Sequence, residues 1–181
     1  FTDKRLVATA PAESNEILAV GRFDGVKGLE DFVGVLARLA FPHWTATLVG
    51  EGWRLPESRR LAERLGIADR VRFTGRLPPA ELDRHYERAA LVVVPSRVAE
   101  AFSLVGIEAM AFGKPVVAFD RGGIRDWLDH GQTGFLVPPG DADAMVRDID
   151  RLLDDRPLAA RLGAASLARV EREFRPDRHL D

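Results

Sequence analysis

Residues 91–119 read LVVVPSRVAEAFSLVGIEAMAFGKPVVAF, and their pattern determines the fold class. Two short runs, Leu91–Val94 and Val116–Phe119, are apolar at successive positions, which is typical of strands buried on both faces of a parallel sheet. Between them, residues 104–112 form an apolar segment that fits one helix, and Gly113 stands where a helix C-terminal cap is expected. Strand, helix and strand in this order predict a parallel pair joined by a helical crossover.

The same alternation continues along the chain in both directions. Further apolar runs predict strands at 17–20, 46–49, 71–73 and 134–137. Helical patterns predict helices at 29–40, 54–66, 78–88, 142–153 and 157–173. Strands that alternate with helices through short loops predict an α/β fold with a doubly wound, parallel, Rossmann-like sheet.

Length and composition limit the domain count and the function class. The 181 residues suit one domain; residues 1–15 show no periodicity and are interpreted as a linker or entry segment, and residues 16–181 as the domain. The net charge of −2 lacks the basic excess of a nucleic-acid-binding protein, so we expect no nucleic-acid partner. The chain has no cysteine, which excludes disulfides and thiol catalysis and fits a cytoplasmic location. No apolar run approaches the roughly 20 residues that a membrane span needs.

In a doubly wound sheet, ligands bind beyond the carboxyl ends of the strands, so the loops that follow strands are the places to inspect. The loop after the first predicted strand reads GRFDGVKG, residues 21–28. Gly21 and the other glycines let the backbone approach a ligand, and Arg22 and Lys27 supply two cations near a helix N-terminus. The pattern suits a phosphate or diphosphate. A glycine turn with two solvated cations is the alternative, and both interpretations stay open on the residues alone.

The loop and helix after the strand at 91–94 carry two carboxylates. Glu108 is the one charged residue in the apolar helix at 104–112, and a buried carboxylate is costly unless it has a partner. We therefore expect Glu108 to face a cation, a cluster of donors or a ligand with hydroxyl groups. Glu100 precedes the helix, whose expected N-cap is Ser103. The alternative is that Glu108 pairs with a core arginine and that Glu100 is solvated.

The later loops and the histidines give weaker signals. Gly122-Gly123 lets main-chain amides face a ligand, although a plain turn explains it equally well, and Asp141 is placed to cap the helix at 142–153. The four histidines have no metal-ligand spacing, and no hydrolase-type group of Ser, His and Asp is defensible.

Taken in order, these motifs resemble the C-terminal, nucleotide-sugar-binding domain of retaining glycosyltransferases with two Rossmann-like domains, the GT-B type, in the large group called glycosyltransferase family 4 or glycosyl transferases group 1. The resemblance covers about residues 16–155. It rests on GR-x4-KG at 21–28, GEG at 50–52, VRFTG at 71–75, PS at 95–96, EAFSLVGIEAMAFGKPVVA at 100–118, GG at 122–123 and GQTGFLVPP at 131–139.

The resemblance implies roles for residues of several of these motifs. Arg22 and Lys27 would bind the donor diphosphate, and Glu100 would act at the reacting face of the donor sugar. The remaining donor-binding positions are Gly21 in the first loop, Gly50, Glu51, Phe73 and Arg76 around the nucleobase, Ala101, Phe102 and Ser103 at the sugar, Leu104 and Val105 at the phosphates, and Glu108 at the ribose. No metal or other cofactor is implied.

The resemblance also implies how the chain relates to its surroundings. An acceptor glycan, lipid or small molecule would bind through an N-terminal domain, to which residues 175–179 would turn back. This chain alone would fold and bind a nucleotide but transfer no hexose. A full-length enzyme would be cytoplasmic, with peripheral association at the inner face of the membrane as an open alternative.

Two segments depart from the family's pattern, and other functions stay open. Ala101-Phe102-Ser103 replaces the common Gly-Phe-Gly, and Arg125-Asp126 replaces a common Pro-Glu. The rivals are a nucleotide-sugar epimerase or phosphorylase of the same architecture, a non-catalytic nucleotide-sugar-binding module, and a regulatory domain of the flavodoxin type. The sequence does not identify the nucleotide, the sugar or the acceptor.

Overall fold

The computed structural model describes residues 14–174. The expected linker at 1–15, apart from Ser14 and Asn15, lies outside the described residues, and so do residues 175–179. Strands and helices alternate from Glu16 to the end of the described chain. In chain order they are β1 (Glu16–Val20), α1 (Leu29–Leu36), β2 (Thr45–Val49), α2 (Leu55–Arg64), β3 (Val71–Gly75), α3 (Pro79–Arg88), β4 (Leu91–Val94), α4 (Leu104–Ala111), β5 (Val116–Phe119), α5 (Ile124–Trp127), β6 (Gly134–Val137), α6 (Ala142–Asp154) and α7 (Arg156–Glu173).

The six strands form one parallel sheet in the order β3-β2-β1-β4-β5-β6. This arrangement confirms the predicted doubly wound, Rossmann-like fold. β1 lies between β2 and β4. From β1 the chain adds β2 and β3 on one side of β1, and it then adds β4, β5 and β6 on the other side, so the order of the strands reverses between β1 and β4. A crevice opens beyond the carboxyl ends of the strands at such a switch point.

The apolar runs of β1, β4 and β5 are continuous because these strands are buried on both faces, whereas in the edge strand β3 only Val71 is buried. In β4, Leu91 and Val93 belong to one core and Val92 and Val94 to the other. The first core also contains residues of α1 and α6, such as Phe32 and Met145. The second core contains residues of α3, α4 and α5, namely Tyr86, Ile107 and Trp127 among others.

The ends of the helices confirm most of the expected caps. Gly66 and Gly113 have the left-handed backbone expected at helix ends, with φ of 70° and 66°. Asp141 caps α6, because its Oδ1 accepts a hydrogen bond of 2.9 Å from the Ala144 amide. Ser103 occupies the N-cap position of α4, but its side chain makes no capping hydrogen bond, so the expected cap is wrong in that respect.

Two helices differ from the sequence prediction. α1 ends at Leu36 instead of near residue 40, because Asp150 of α6 accepts hydrogen bonds from the amides of Ala40 and Phe41 and holds them outside the helix. α5 is a single turn that follows Gly122-Gly123, where only a turn was expected. Among the described residues, no helix has both the length and the apolar character needed to cross a membrane.

Candidate functional site

A cavity of about 680 Å³ lies beyond the carboxyl ends of β1, β2 and β4. This is the switch point at which the topology predicts a binding crevice. Most of the predicted site residues line it: Gly21, Arg22, Lys27, Gly50, Glu51, Arg76, Glu100, Phe102, Ser103, Leu104 and Val105. The lining also includes positions that sequence reasoning gave no role: Val20, Val49, Leu77, Leu82, Val94, Pro95 and Ser96.

The first cation of the loop after β1 is Arg22, whose side chain is 72% exposed. Its Nη2 lies 3.0 Å from Asp24 Oδ2, and Asp24 Oδ1 accepts a hydrogen bond from the Val26 amide. Asp24 therefore holds Arg22 near the loop while shaping the loop itself. The guanidinium stays accessible to an anion in the cavity.

The first turn of α1 holds the same loop through a hydrogen bond. Glu30 is buried, and its Oε1 accepts a hydrogen bond of 2.9 Å from the Gly25 amide. The Val26 carbonyl accepts a hydrogen bond of 3.0 Å from the Arg97 amide, and the Arg97 guanidinium forms two hydrogen bonds with Asp31. The Asp31 carboxylate raises the pKa of Arg97. These contacts join the loop after β1 to the loop after β4.

Glu100 and Lys27 form an ion pair in the lining of the cavity. Lys27 Nζ lies 3.1 Å from Glu100 Oε1, and the Glu100 side chain is 8% exposed. Ser96 Oγ donates a hydrogen bond to the same oxygen, and the Glu100 carbonyl accepts one of 2.7 Å from the Gly123 amide. The alternative that Glu100 is solvated is therefore wrong. The Lys27 ammonium and the Glu100 carboxylate therefore present a cation and a hydrogen-bond acceptor to the same cavity.

Glu108 does not line the cavity, and it is half-buried, not buried. Tyr86 of α3 donates a hydrogen bond of 3.1 Å from its hydroxyl to Glu108 Oε2. Burial of Tyr86 and the negative charge of Glu108 raise the Tyr86 pKa well above its usual value, so the hydroxyl stays a donor. α4 is also not buried on every side, since Leu104 is 59% exposed at the cavity.

Two more predicted donor contacts lie outside the cavity lining. The ring of Phe73 packs against Phe23, with 6.0 Å between ring centroids, and the Arg59 guanidinium lies 5.3 Å from the Phe73 centroid. Ala101 is exposed between Glu100 and the cavity-lining Phe102. The side of the cavity predicted for the nucleobase is lined by Gly50, Glu51, Arg76 and Leu77.

The charges of the lining suit a ligand that is anionic in one part and rich in hydroxyl groups in another. The cations are Arg22, Lys27 and Arg76, and the carboxylates are Glu51 and Glu100. The first turn of α4 also lines the cavity, and the first amides of a helix have no intrahelical acceptor. Within residues 14–174, no group of three or more His, Asp or Glu side chains is arranged to bind a metal ion.

Comparison with known proteins gives similarities over most of the chain. The glycogen synthase of Mycobacterium tuberculosis is 34% identical over 172 residues, which are 92% of this chain and 40% of that protein. The structure of sucrose-phosphate synthase from Thermosynechococcus elongatus is 39% identical with a TM-score of 0.81, over 91% of this chain and 42% of that one. The structure of Anabaena HepE in complex with UDP-glucose is 30% identical with a TM-score of 0.82, over 88% of this chain and 45% of that one.

The chain thus spans less than half the length of each of these relatives. The family described as glycosyl transferases group 1 matches residues 2–169, which include every strand of the sheet and every residue of the cavity lining. The resemblance implies a doubly wound sheet with cations and a carboxylate at its switch point, and this chain has that arrangement. By the family match, the chain belongs to the glycosyl transferases group 1 family.

Proposed function

We propose that this chain binds the nucleoside-diphosphate-sugar donor of a retaining glycosyltransferase. The observation that carries the proposal is the convergence of Arg22, Lys27 and Glu100 on one cavity at the switch point of the sheet. The two cations suit the diphosphate, and the carboxylate suits the hydroxyl groups of a sugar. Support also comes from Anabaena HepE, which shares this fold at 30% identity and whose structure contains UDP-glucose.

In the proposed reaction, the leaving group is a nucleoside diphosphate, so negative charge grows on its phosphates as the glycosidic bond breaks. Arg22 and Lys27 offset that charge, which is the largest demand that such a reaction makes on its site. The amides of Leu104 and Val105, at the N-terminus of α4, add partial positive charge towards the phosphates.

The other donor contacts follow from position along the cavity. Glu100, Phe102 and Ser103 hold the sugar, while Gly50, Glu51 and Arg76 border the nucleobase and Gly21 the phosphates. The contact of the Ala101 amide with the sugar stays a prediction, since Ala101 does not line the cavity. The ribose contact of Glu108 and the nucleobase contact of Phe73 stay predictions, since neither side chain lines the cavity. We further propose a metal-independent reaction, a cytoplasmic enzyme, and an acceptor held outside the described residues.

The test is binding of nucleotides by charge-deletion variants. A thermal-shift panel with UDP, GDP, ADP and their sugar conjugates identifies the nucleotide, because a ligand at 100 times its Kd stabilises the fold by about 2.7 kcal/mol. Calorimetry then compares Arg22→Ala, Lys27→Ala and the control Arg161→Ala, which removes an exposed cation of α7 outside the cavity lining.

A charge-assisted contact contributes about 1.5–3 kcal/mol, which is about a 10- to 150-fold change in Kd. We expect Lys27→Ala to weaken binding towards the upper end and the more exposed Arg22→Ala towards the lower end, with Arg161→Ala unchanged. No thermal shift with any nucleotide, or wild-type affinity in both cavity variants, would contradict the proposal.

A further inference from the structure

Ser96 stands at the carboxyl end of β4, two residues beyond the last residue of the strand, and is 2% exposed. Its Oγ donates a hydrogen bond to Glu100 Oε1. The two side chains are four residues apart in a loop, so this bond requires the loop to fold back on itself. A buried hydroxyl that donates a hydrogen bond to a carboxylate of the cavity lining can fix the orientation of that carboxylate.

Glu100 Oε1 accepts a hydrogen bond from the Ser96 hydroxyl and forms an ion pair with the Lys27 ammonium, which lies 3.1 Å away. Two groups of the protein therefore already lie against Oε1. Among residues 14–174, no hydrogen bond reaches Oε2 of the same carboxylate. The acceptor capacity of Glu100 that a ligand can use is therefore concentrated on Oε2.

The main chain of Glu100 is held as firmly as its side chain. The Gly123 amide donates a hydrogen bond of 2.7 Å to the Glu100 carbonyl, and Glu100 forms a parallel bridge with Gly122. With the backbone fixed, rotation of the carboxylate would break the bond from Ser96 and move Oε1 away from Lys27. The orientation of Oε2 thus depends on the Ser96 hydroxyl.

We propose that Ser96 is a positioning residue for Glu100. Its hydroxyl holds Oε1, so that Oε2 accepts a hydroxyl hydrogen of the donor sugar while Lys27 stays beside the diphosphate. The inference rests on the proposed function, that is, on binding of a nucleoside-diphosphate sugar in this cavity. Since Ser96 acts through the sugar contact, its loss weakens binding of the sugar conjugate and spares the nucleoside diphosphate.

The matched control is Ser166, another buried serine whose Oγ donates one hydrogen bond, to the Thr133 carbonyl at 2.8 Å, outside the cavity lining. Ser96→Ala and Ser166→Ala each remove one buried hydroxyl and one hydrogen bond. Any effect that comes from stability alone is therefore expected in both variants. Ser96→Thr keeps the hydroxyl and tests for rescue.

Calorimetry on the 181-residue chain measures Kd for the nucleoside diphosphate chosen by the thermal-shift panel and for its sugar conjugate. We expect Ser96→Ala to raise the Kd of the conjugate by about 5- to 10-fold, as loss of one hydrogen bond does, with the Kd of the nucleoside diphosphate unchanged within about twofold. Ser166→Ala leaves both constants unchanged, and Ser96→Thr restores the wild-type ratio.

A double-mutant cycle separates positioning from a direct contact of Ser96 with the ligand. If Ser96 acts through Glu100, then Ser96→Ala has no further effect on conjugate affinity once Glu100→Ala has removed the carboxylate. Full additivity of the two substitutions overturns the inference, and so does an equal loss of affinity for both ligands in Ser96→Ala. Absence of nucleotide binding by the wild-type chain is a different result, since it overturns the proposed function and the inference falls with it.

Discussion

At Gly28 the loop after β1 comes within contact of the main chain at the end of β4. The residue has a left-handed backbone with φ of 70°, and a Cβ placed there would lie 1.9 Å from the Pro95 carbonyl oxygen. Lys27 precedes this glycine, and Ser96 follows that proline. The close approach is thus what brings the cation of one loop to the carboxylate of the other.

Substitution of Gly28 by alanine tests this contact, and Gly66 is the matched control because it has the same φ of 70° with no atom within 4 Å of a Cβ. Both variants carry the left-handed backbone penalty of about 1–2 kcal/mol. We expect Gly28→Ala to lose more stability and also nucleotide affinity, since the two loops must move apart. Denaturant titration and calorimetry measure the two effects, and equal losses in both variants would refute the interpretation.

The contacts of single residues were the part of the site that the sequence could not predict. Lys27 and Glu100 were each chosen for their chemistry, but the 3.1 Å ion pair between them depends on β1 lying beside β4. Neither Ser96 nor Tyr86 was given a role, because a lone serine after a strand and a tyrosine on an amphipathic helix are ordinary. Their importance comes from the carboxylates they bind, which only the tertiary structure shows.

Among the elements, α4 packs against the single turn of α5 with no space for a side chain at Gly106, the third residue of α4. A Cβ at this glycine would lie 2.0 Å from Cη2 of Trp127, which is fully buried. Leu104 and Val105, the two residues before Gly106, line the cavity. The absence of a side chain at Gly106 is therefore a packing requirement of the helix that begins at the cavity.

Gly106→Ala and Gly34→Ala form a pair of helical substitutions with opposite expected signs. At Gly34 in α1, no atom lies within 4 Å of an added Cβ, so alanine there stabilises by about 0.5–1 kcal/mol through its better helix propensity. At Gly106 the added methyl group displaces Trp127, and overpacking of this kind costs about 1–3 kcal/mol. Thermal and denaturant unfolding measure both. Stabilisation by Gly106→Ala would show that the contact is not restrictive.

Lys114, between α4 and β5, is a buried cation whose charge state couples stability to pH. Its Nζ donates a hydrogen bond of 2.8 Å to the Glu87 carbonyl at the end of α3, and burial lowers its pKa from 10.5 to about 8. Between these two pKa values the folded chain has released the proton while the unfolded chain keeps it. The unfolded state then binds more protons, so the free energy of unfolding rises with pH in this window.

Lys114→Met removes this titration and keeps an unbranched side chain. We expect the free energy of unfolding of the wild-type chain to increase, relative to that of the variant, as the pH rises from about 8 towards 10.5. Denaturant titrations across that window measure the difference between the two chains. Parallel curves would show that Lys114 has an ordinary pKa in the folded state.

The elements themselves were largely predictable, and the exceptions have local causes. The sequence predicts β4, β5 and β6 with the bounds that the structure has, because runs of apolar residues buried on both faces end abruptly at polar loops. It misses α5, since one helical turn after two glycines has no periodicity to detect. The sequence prediction extends α1 too far. The amides of Ala40 and Phe41 donate hydrogen bonds to Asp150, which is 110 and 109 residues away along the chain, so no local pattern indicates this contact.

For the molecule as a whole, the cavity is built at one edge of a single sheet. Its walls come from the loops after β1, β2 and β4, from residues after β3 and in α3, and from the start of α4. Phe102 and Leu104, which line it, keep 42% and 59% of their surface exposed. The chain covers 40–45% of the glycogen synthase, sucrose-phosphate synthase and HepE chains, so most of each of those proteins has no counterpart here.

The 181 residues alone can be assayed separately for donor binding and for sugar transfer. We expect them to bind a nucleoside-diphosphate sugar and to transfer no sugar, because the proposed donor contacts all lie in this chain while transfer also requires an acceptor held beside the donor. Calorimetry measures donor binding, and product analysis with glycan, lipid and small-molecule acceptors measures transfer. Measurable transfer by the isolated chain would refute the expectation of inactivity.

Added EDTA should leave donor affinity unchanged, since Arg22 and Lys27 are proposed to supply the positive charge that a metal ion would otherwise provide. Calorimetry with and without EDTA measures the effect, and loss of donor affinity in EDTA would refute the expectation of metal independence.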